Sequence, residues 1–491
     1  MIMVRRSGSS SRLVFSFCAV TLVALIAVAS LTALLFRHQL QLPDIPNILP
    51  TVATNTSTAK DADSRECFTN RLPVNDDDSR CLNPYAQRGF VWHPEVPADS
   101  DPTNDADTPW AINTTWVPFY SGLLDEPYTE IWNDDESPTD PTAKGHRTFP
   151  DDQPPQEMFD TAPYPWVRDF ARHHALVRKA GLVDRFGNRT ARPFEQRVLT
   201  AAESDELDEL EAQLAWIRHT RVLLLSDSVD RFEAHFLCER FDQRMKSSAT
   251  SHTISICHIP YWNFTISHWA ITSTFTTLPP WWWLPKMGMV SIEDRWTKLY
   301  MPARSLTIGM NGHSPDLIAF QTGLWDHKAF ILGHAANQNQ AEPDYGRDMN
   351  WRELRFYMQR VRRVIGILRE TFGDTVPLLY RVTSPRKDEA ENIGMHSLVR
   401  AARFVCRETD VETMEFGSLV QGFVEFYRDG LHVANGPLSV MWSNMMFWYL
   451  YRVKGGVEVK GKLLQPPTEQ SALDVIENWD VCHQVYMRDQ K

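Results

Sequence analysis

Apolar residues follow two rhythms along the second half of the chain. The unbroken run Val222-Leu223-Leu224-Leu225 predicts a strand buried on both faces. Shorter strand signals follow at "HTISICHI", "NFTISHWAI", "PDLIAFQTG" (315–323), "TVPLLYRVTSP" (375–385) and "ETMEF". Between them the period changes. Leu207, Leu210, Leu214 and Ile217 recur at helical intervals behind Thr200 and Glu203, which have the spacing of a capping box. A longer helix is predicted at "WRELRFYMQRVRRVIGILRETF", and Asn435-Gly436-Pro437 opens an apolar stretch that reads as the last helix. Strands alternating with helices predict an α/β sandwich with a mainly parallel sheet, in which chemistry sits outside the carboxyl ends of the strands. Ser228 and the loop after Gln321 both fall there.

The first 160 residues lack such rhythm, with one exception. Leu13 to Phe36 is a run of 24 residues without a charge, enough to cross a hydrocarbon core of about 30 Å as a helix. Arg5, Arg6 and Arg12 precede it, which leaves residues 1–12 in the cytosol and the body on the far side. Ala27-Val28-Ala29 also resembles a cleavage site, but the apolar run continues past it, so an uncleaved signal anchor is the expectation. Residues 37–160 are rich in Pro, Asp, Ser and Thr and read as an irregular, glycosylated stem, with short ordered patches around Trp92 and in "WVPFYSGLLDEPYTEIW". Residues 161–491 form the expected lumenal domain, with its motifs between 216 and 455.

Charge sharpens this division. The stem holds 23 Asp and Glu against 8 Lys and Arg, which leaves residues 161–491 neutral within the net charge of −12. A neutral main domain argues against nucleic acid as a partner. Sequons at Asn55, Asn113, Asn188 and Asn263 all lie beyond the anchor. So do six of the seven cysteines, Cys67, Cys81, Cys238, Cys257, Cys406 and Cys482. That even number permits three disulfides in an oxidising compartment; only the local pairs Cys67 with Cys81 and Cys238 with Cys257 are specified, and buried free thiols are the alternative. No cysteine or histidine spacing suggests a metal site.

The stretch "LLLSDSVDRFEAHF" places Ser228 where a strand turns into a helix. There it is either a helix cap or a nucleophile, and a nucleophile needs a base beside it. Among sixteen histidines, His432 has the suggestive setting: in "FYRDGLHVANGP", Asp429 stands three residues before it, able to turn back and hold one ring nitrogen. The pair could equally tie a loop. Trp281, Trp282 and Trp283 read as core or stem contacts as readily as a sugar platform. Arg355, Arg360, Arg362 and Arg363 read as a solvated helix face.

"LLSDSVDR", "PDLIAFQTGLWD" and "DGLH", in that order, resemble the three motif blocks of the SGNH hydrolase superfamily, most closely its PC-esterase branch. That branch includes trichome-birefringence-like polysaccharide O-acetyltransferases and related fungal type II membrane proteins. The resemblance implies an SGNH-like three-layer sandwich and acyl transfer or ester hydrolysis on glycans, with no bound cofactor and an acyl donor left open. It implies a single-pass type II protein of the Golgi. Residue by residue, it makes Ser228 the nucleophile, His432 the base and Asp429 its orienting acid. Arg231, Gly323 and Trp325 fall in oxyanion or substrate-binding positions. The chain departs from the pattern at Ser226, where the superfamily has glycine, a change that could distort the corner. "QTGLWD" also lacks the oxyanion asparagine. Two other readings stay open: a catalytically silent glycan-binding scaffold, in which Ser228 and His432 stand apart, and a type II glycosyltransferase using Asp76-Asp77-Asp78 to hold a metal.

Overall fold

The apolar run at Val222 becomes the centre of the main sheet. Strands are numbered along the chain from a hairpin, β1 (Gly89–Trp92) and β2 (Thr115–Pro118). The main sheet follows: β3 (Arg221–Ser226), β4 (Lys246–Ser247), β5 (Ile254–Ile259), β6 (Phe264–Ala270), β7 (Leu317–Phe320), β8 (Leu378–Arg381) and β9 (Glu412–Met414). Its spatial order is β4-β5-β6-β3-β7-β8-β9. The pairings of β6, β3, β7, β8 and β9 are parallel, and β4 and β5 add an antiparallel edge. A second hairpin, β10 (Val457–Val459) and β11 (Lys462–Gln465), closes the chain's described part. The computed structural model describes residues 83–118 except 88 and 105–108, then 159, 162–190, 199–247, 253–278, 288–307, 314–459 and 461–465. All belong to one compact unit spanning Asn70–Lys491.

Seven helices of eight residues or more accompany the sheet among the described residues: α1 (Trp166–Lys179), α2 (Ala201–Leu214), α3 (Ser228–Glu239), α4 (Leu324–Asn337), α5 (Trp351–Phe372), α6 (Ile393–Glu408) and α7 (Pro437–Val453). The capping box at Thr200 forms as expected, and Asn350 caps α5 in the same way. Alternate strand residues separate two cores. Val222, Leu224, Ile266 and Ala319 pack with α1, α3 and α7, whereas Leu223, Leu225, Ile318 and Phe320 pack with α5 and α6. The result is a three-layer α/β/α sandwich.

Taken in chain order, the parallel strands lie second, first, third, fourth, fifth, so the winding reverses beside β3. Such a switch point opens a crevice at the carboxyl ends of the flanking strands. Ser228 follows β3 and Gly323 follows β7, which places both turns at that crevice.

Two expectations need correction, those on Cys406 and Arg360. The ordered patch expected around Trp92 is the β1–β2 hairpin, and Tyr85, Val91, Ala111 and Trp116 are buried in the same core as α7. Asn83 donates to the Tyr449 hydroxyl at 2.9 Å, Tyr85 meets Trp448 edge-on, and Trp116 Nε1 donates to Pro84 O at 3.0 Å. Cys406 is a free thiol buried inside α6, while Cys238 and Cys257 form a disulfide between α3 and β5. Cys67, Cys81 and Cys482 lie outside the described residues. Arg360 is not on a solvated face; it donates to Thr274 O and pairs with Glu293, both at 2.7 Å. Arg362 and Arg363 pair with Glu408 and Glu370 at the surface.

Other expectations fall outside what the structure describes: the run 13–36, Asn55, Asp76–Asp78 and Trp281–Trp283. Among the described residues no helix is long and apolar enough to cross a membrane. Asn113, Asn188 and Asn263 are exposed.

Two measurements follow from this packing. Trp116→Ala leaves a cavity over α7 and is expected to cost about 3–5 kcal/mol in denaturant unfolding, whereas a detached stem residue would cost almost nothing. Glu458 on β10 is buried against the Tyr164 N–H, and burial pushes its pKa up to about 7. A folded pKa above the unfolded value means that stability is full below about 4.5 and falls as pH rises toward 7. Glu458→Gln should therefore stabilise the protein at pH 8 and flatten that part of its stability profile.

Candidate active site

The nucleophile corner begins with an ordinary strand end. Ser226 is the last residue of β3, paired with Ala270, and its amide-carbonyl ladder continues to Ile271 N–H at 2.7 Å. It is not among the positive-φ residues, so its backbone has no need of glycine and the corner is undistorted. Asp227 then takes the capping role: its Oδ1 accepts from Val229 N–H at 2.9 Å. Ser228 is the first residue of α3, where the backbone N–H has no partner within the helix.

The base arrives on a loop pinned at both ends. Tyr427 and Val433 form an isolated antiparallel bridge, Arg428 N–H donates to His432 O at 3.0 Å, and Lys387 N–H donates to Gly430 O at 3.0 Å. Inside this loop Asp429 Oδ1 accepts from the N–H groups of Leu431 and His432, both at 2.8 Å. His432 Nδ1 lies 2.8 Å from Asp429 Oδ2, and His432 Nε2 lies 2.7 Å from Ser228 Oγ. The side chain of His432 is 17% exposed.

Proton positions follow from the electrostatics. Burial alone would raise the Asp429 pKa, but the N–H and ring of His432 and the N–H of Leu431 outweigh it and hold the carboxyl below its usual range. Asp429 is therefore an anionic acceptor, and Nδ1 carries the proton donated to it. Nε2 is left with a lone pair that accepts from the Ser228 hydroxyl. This arrangement can take a proton from Ser228 as its oxygen attacks a carbonyl.

Phe232 walls one side of the imidazole, edge to face at 4.9 Å, and sits one helical turn beyond Ser228. The guanidinium groups of Arg231 and Arg428 lie 4.6 Å and 4.5 Å from the centre of that ring. Arg231 thus stands beside the His432 end of the site.

Gly323 and Trp325 belong to the neighbouring turn. Gly323 has φ of +120°, and a Cβ there would come within 3.1 Å of Thr383 and Tyr357 oxygens, so glycine is required. Its N–H donates to Asp326 Oδ2 at 3.1 Å and is therefore committed. Asp326 also accepts from Ser273 and from both donors of Thr274, tying this turn to the loop after β6. Trp325 is half-buried, with the Lys328 ammonium 5.2 Å from its ring. The structure shows Ser228, His432 and Asp429 in one hydrogen-bonded line; it places Gly323 in a structural turn.

Sequence reasoning missed the support beneath the corner. His268 on β6 is fully buried, and burial pushes its pKa down to about 4. It is neutral at pH 7, and its Nε2–H donates to Asp227 O at 2.9 Å. Arg381, at the end of β8, is equally buried and engages Asp230. Neither has a local sequence signature, because each reaches the corner from a different strand. Among the described residues no group of His, Cys, Asp and Glu side chains is arranged to hold a metal ion.

No family model matches the chain, and no curated protein does. Among solved structures, the acetylxylan esterase Axe2 of Geobacillus stearothermophilus is matched over 48% of this chain and 94% of its own, at 9% identity and a TM-score of 0.28. A catalytic mutant of the same enzyme gives 0.29 over the same shares. Overlap this slight identifies no family, and function has to be read from the site itself.

Asp429→Asn should leave the loop in place but remove the fixed charge behind His432. The rate at which p-nitrophenyl acetate acylates Ser228, followed by nitrophenolate release, is expected to fall roughly a thousandfold or more. A fall of less than tenfold would mean that Asp429 only ties the loop.

Proposed function

We propose that the protein is a serine acyl-transfer enzyme, moving acyl groups, acetyl foremost, onto or off carbohydrate hydroxyls through an acyl-Ser228 intermediate. The single observation that carries this is the line from Asp429 through His432 to Ser228, with contacts of 2.8 Å and 2.7 Å. Ser228 Oγ attacks the ester carbonyl while His432 Nε2 takes its proton. The tetrahedral oxyanion is held by the Ser228 N–H at the start of α3, where the helix dipole adds to the hydrogen bond. Collapse breaks the bond to the leaving alcohol, which collects the proton from His432. A water or a sugar hydroxyl then gives its proton to His432 and attacks the acyl-serine; collapse breaks the bond to Ser228 Oγ, which takes that proton back from His432.

The carbohydrate substrate rests on the order of the three motif blocks in the sequence. The type II placement in the secretory pathway rests on the apolar run 13–36 and the arginines before it, and the Golgi address on the resemblance of the three motif blocks alone. A silent scaffold would keep Ser228 and His432 apart, so their hydrogen bond favours the catalytic reading.

The test uses full-length protein and an activated acetyl ester, read by intact mass. An adduct of about 42 Da is expected in the wild type, absent from Ser228→Ala and discharged by water or by an oligosaccharide acceptor. Discharge faster with the sugar than with water marks a transferase. Folded wild type that forms no adduct with any of several acyl esters would overturn the proposal.

A further inference from the structure

Beneath the nucleophile lies a buried charge cluster that the reaction scheme above does not use. Arg381, 1% exposed, stands at the carboxyl end of β8. Its Nε donates to Asp230 at 2.8–2.9 Å, and its Nη2 is 3.7 Å from Asp227 Oδ1. Nη1 donates to Val382 O and Ser384 Oγ, at 3.0 and 3.2 Å. Asp230 also accepts from Trp442 Nε1 on α7 at 3.1 Å. Asp227 and Asp230 bracket Ser228 in sequence, so one guanidinium is hydrogen-bonded to the far side of the nucleophile turn and faces the near side as an ion pair.

We propose that Arg381 is the positioning residue of this site, fixing the Asp227–Ser228 corner through Asp227 and Asp230 and offsetting their charge beside His432. The inference rests on the serine acyl-transfer reading. A buried guanidinium persists only when paired, and a buried carboxylate likewise. Burial works against the charge of Arg381, but Asp230 and Asp227 outweigh it and raise its pKa. Asp227 is near enough to His432 for their charges to interact. The imidazole thus meets Asp429 and Arg428 on its own loop, and Asp227 and Arg231 from α3. Arg381 in turn meets Asp227, Asp230 and Glu233 from α3, Tyr380 on its own strand and Tyr427 from the histidine loop. A serine displaced by a fraction of an ångström loses its attack geometry while substrate binding persists, which separates positioning from binding.

The experiment compares full-length wild type with Arg381→Lys, Arg381→Met and Asp230→Asn, using acetyl ester kinetics across pH. Arg381→Lys and Arg381→Met are expected to lower kcat at least tenfold with KM changed less than threefold, the lysine variant being the less impaired. Asp230→Asn leaves Arg381 less compensated, so positive charge near His432 rises and protonation of the imidazole becomes harder. The acid limb of kcat/KM should therefore move to lower pH by half a unit or more. Equal losses in kcat and KM, or an acid limb that does not move, would overturn the proposal. If Arg381→Met fails to fold, the other two variants decide. The titration of His432, followed by NMR in Ser228→Ala with and without Asp230→Asn, separates the two ideas. A downward shift, alongside a wild-type protein that forms no acyl adduct, sinks the acyl-transfer reading alone; a wild type that forms the adduct, with no shift in the variants, sinks the role of Arg381.

Discussion

Helix α7 is buried around its whole circumference, from Pro437 to Val453, so it is stable only when something covers every side of it. The sheet and α3 cover one side, and α1 and the hairpin of residues 83–118 cover the other. Its polar groups are answered in place: Asn444 accepts from Val167 N–H at 2.8 Å, and Arg452 pairs with the buried Glu412 at 2.9 Å. This constraint reaches the chemistry directly. The helix starts five residues after His432, and its Trp442 donates to Asp230 on the nucleophile helix. Whatever seats α7 also seats both halves of the site.

The site itself is a meeting of loops from different strands at the switch point of the sheet. β3 supplies Ser228, the loop before α7 supplies Asp429 and His432, β6 supplies His268, and β8 supplies Arg381. Ser228, His432, His268 and Arg381 each have a partner from elsewhere in the chain, and Asp429 is held within its own loop, which keeps the serine, imidazole and carboxylate in line without a ligand. The charge pattern is layered: an anionic Asp429 behind the imidazole, a neutral His268 under the corner and a cationic Arg381 beneath Asp227 and Asp230.

Local signals carried much of this. The strands at 254–259, 264–270, 317–320, 378–381 and 412–414 and the helix at 351–372 were legible because each has a clear period or apolar run bounded by turn residues. The Asp429–His432 pair was legible because three residues on a tight loop bring both side chains round to one side. Tertiary context hid the rest. The hairpin near Trp92 was legible only as a short ordered patch, because its polar surroundings conceal the few apolar side chains that α7 needs. Arg381 looked like a strand end, and nothing nearby in sequence says that its partner Asp230 is 151 residues away. Cys406 counted as a disulfide candidate because parity says nothing about burial.

The most direct measurement is the reaction of the full-length protein with a fluorophosphonate, followed by peptide mapping of the phosphonyl group. The account predicts one group per chain, on Ser228, because among the described residues only that hydroxyl is hydrogen-bonded to an imidazole backed by an ionised carboxylate. A folded protein that takes up no phosphonyl group, or takes it on another residue, would contradict it.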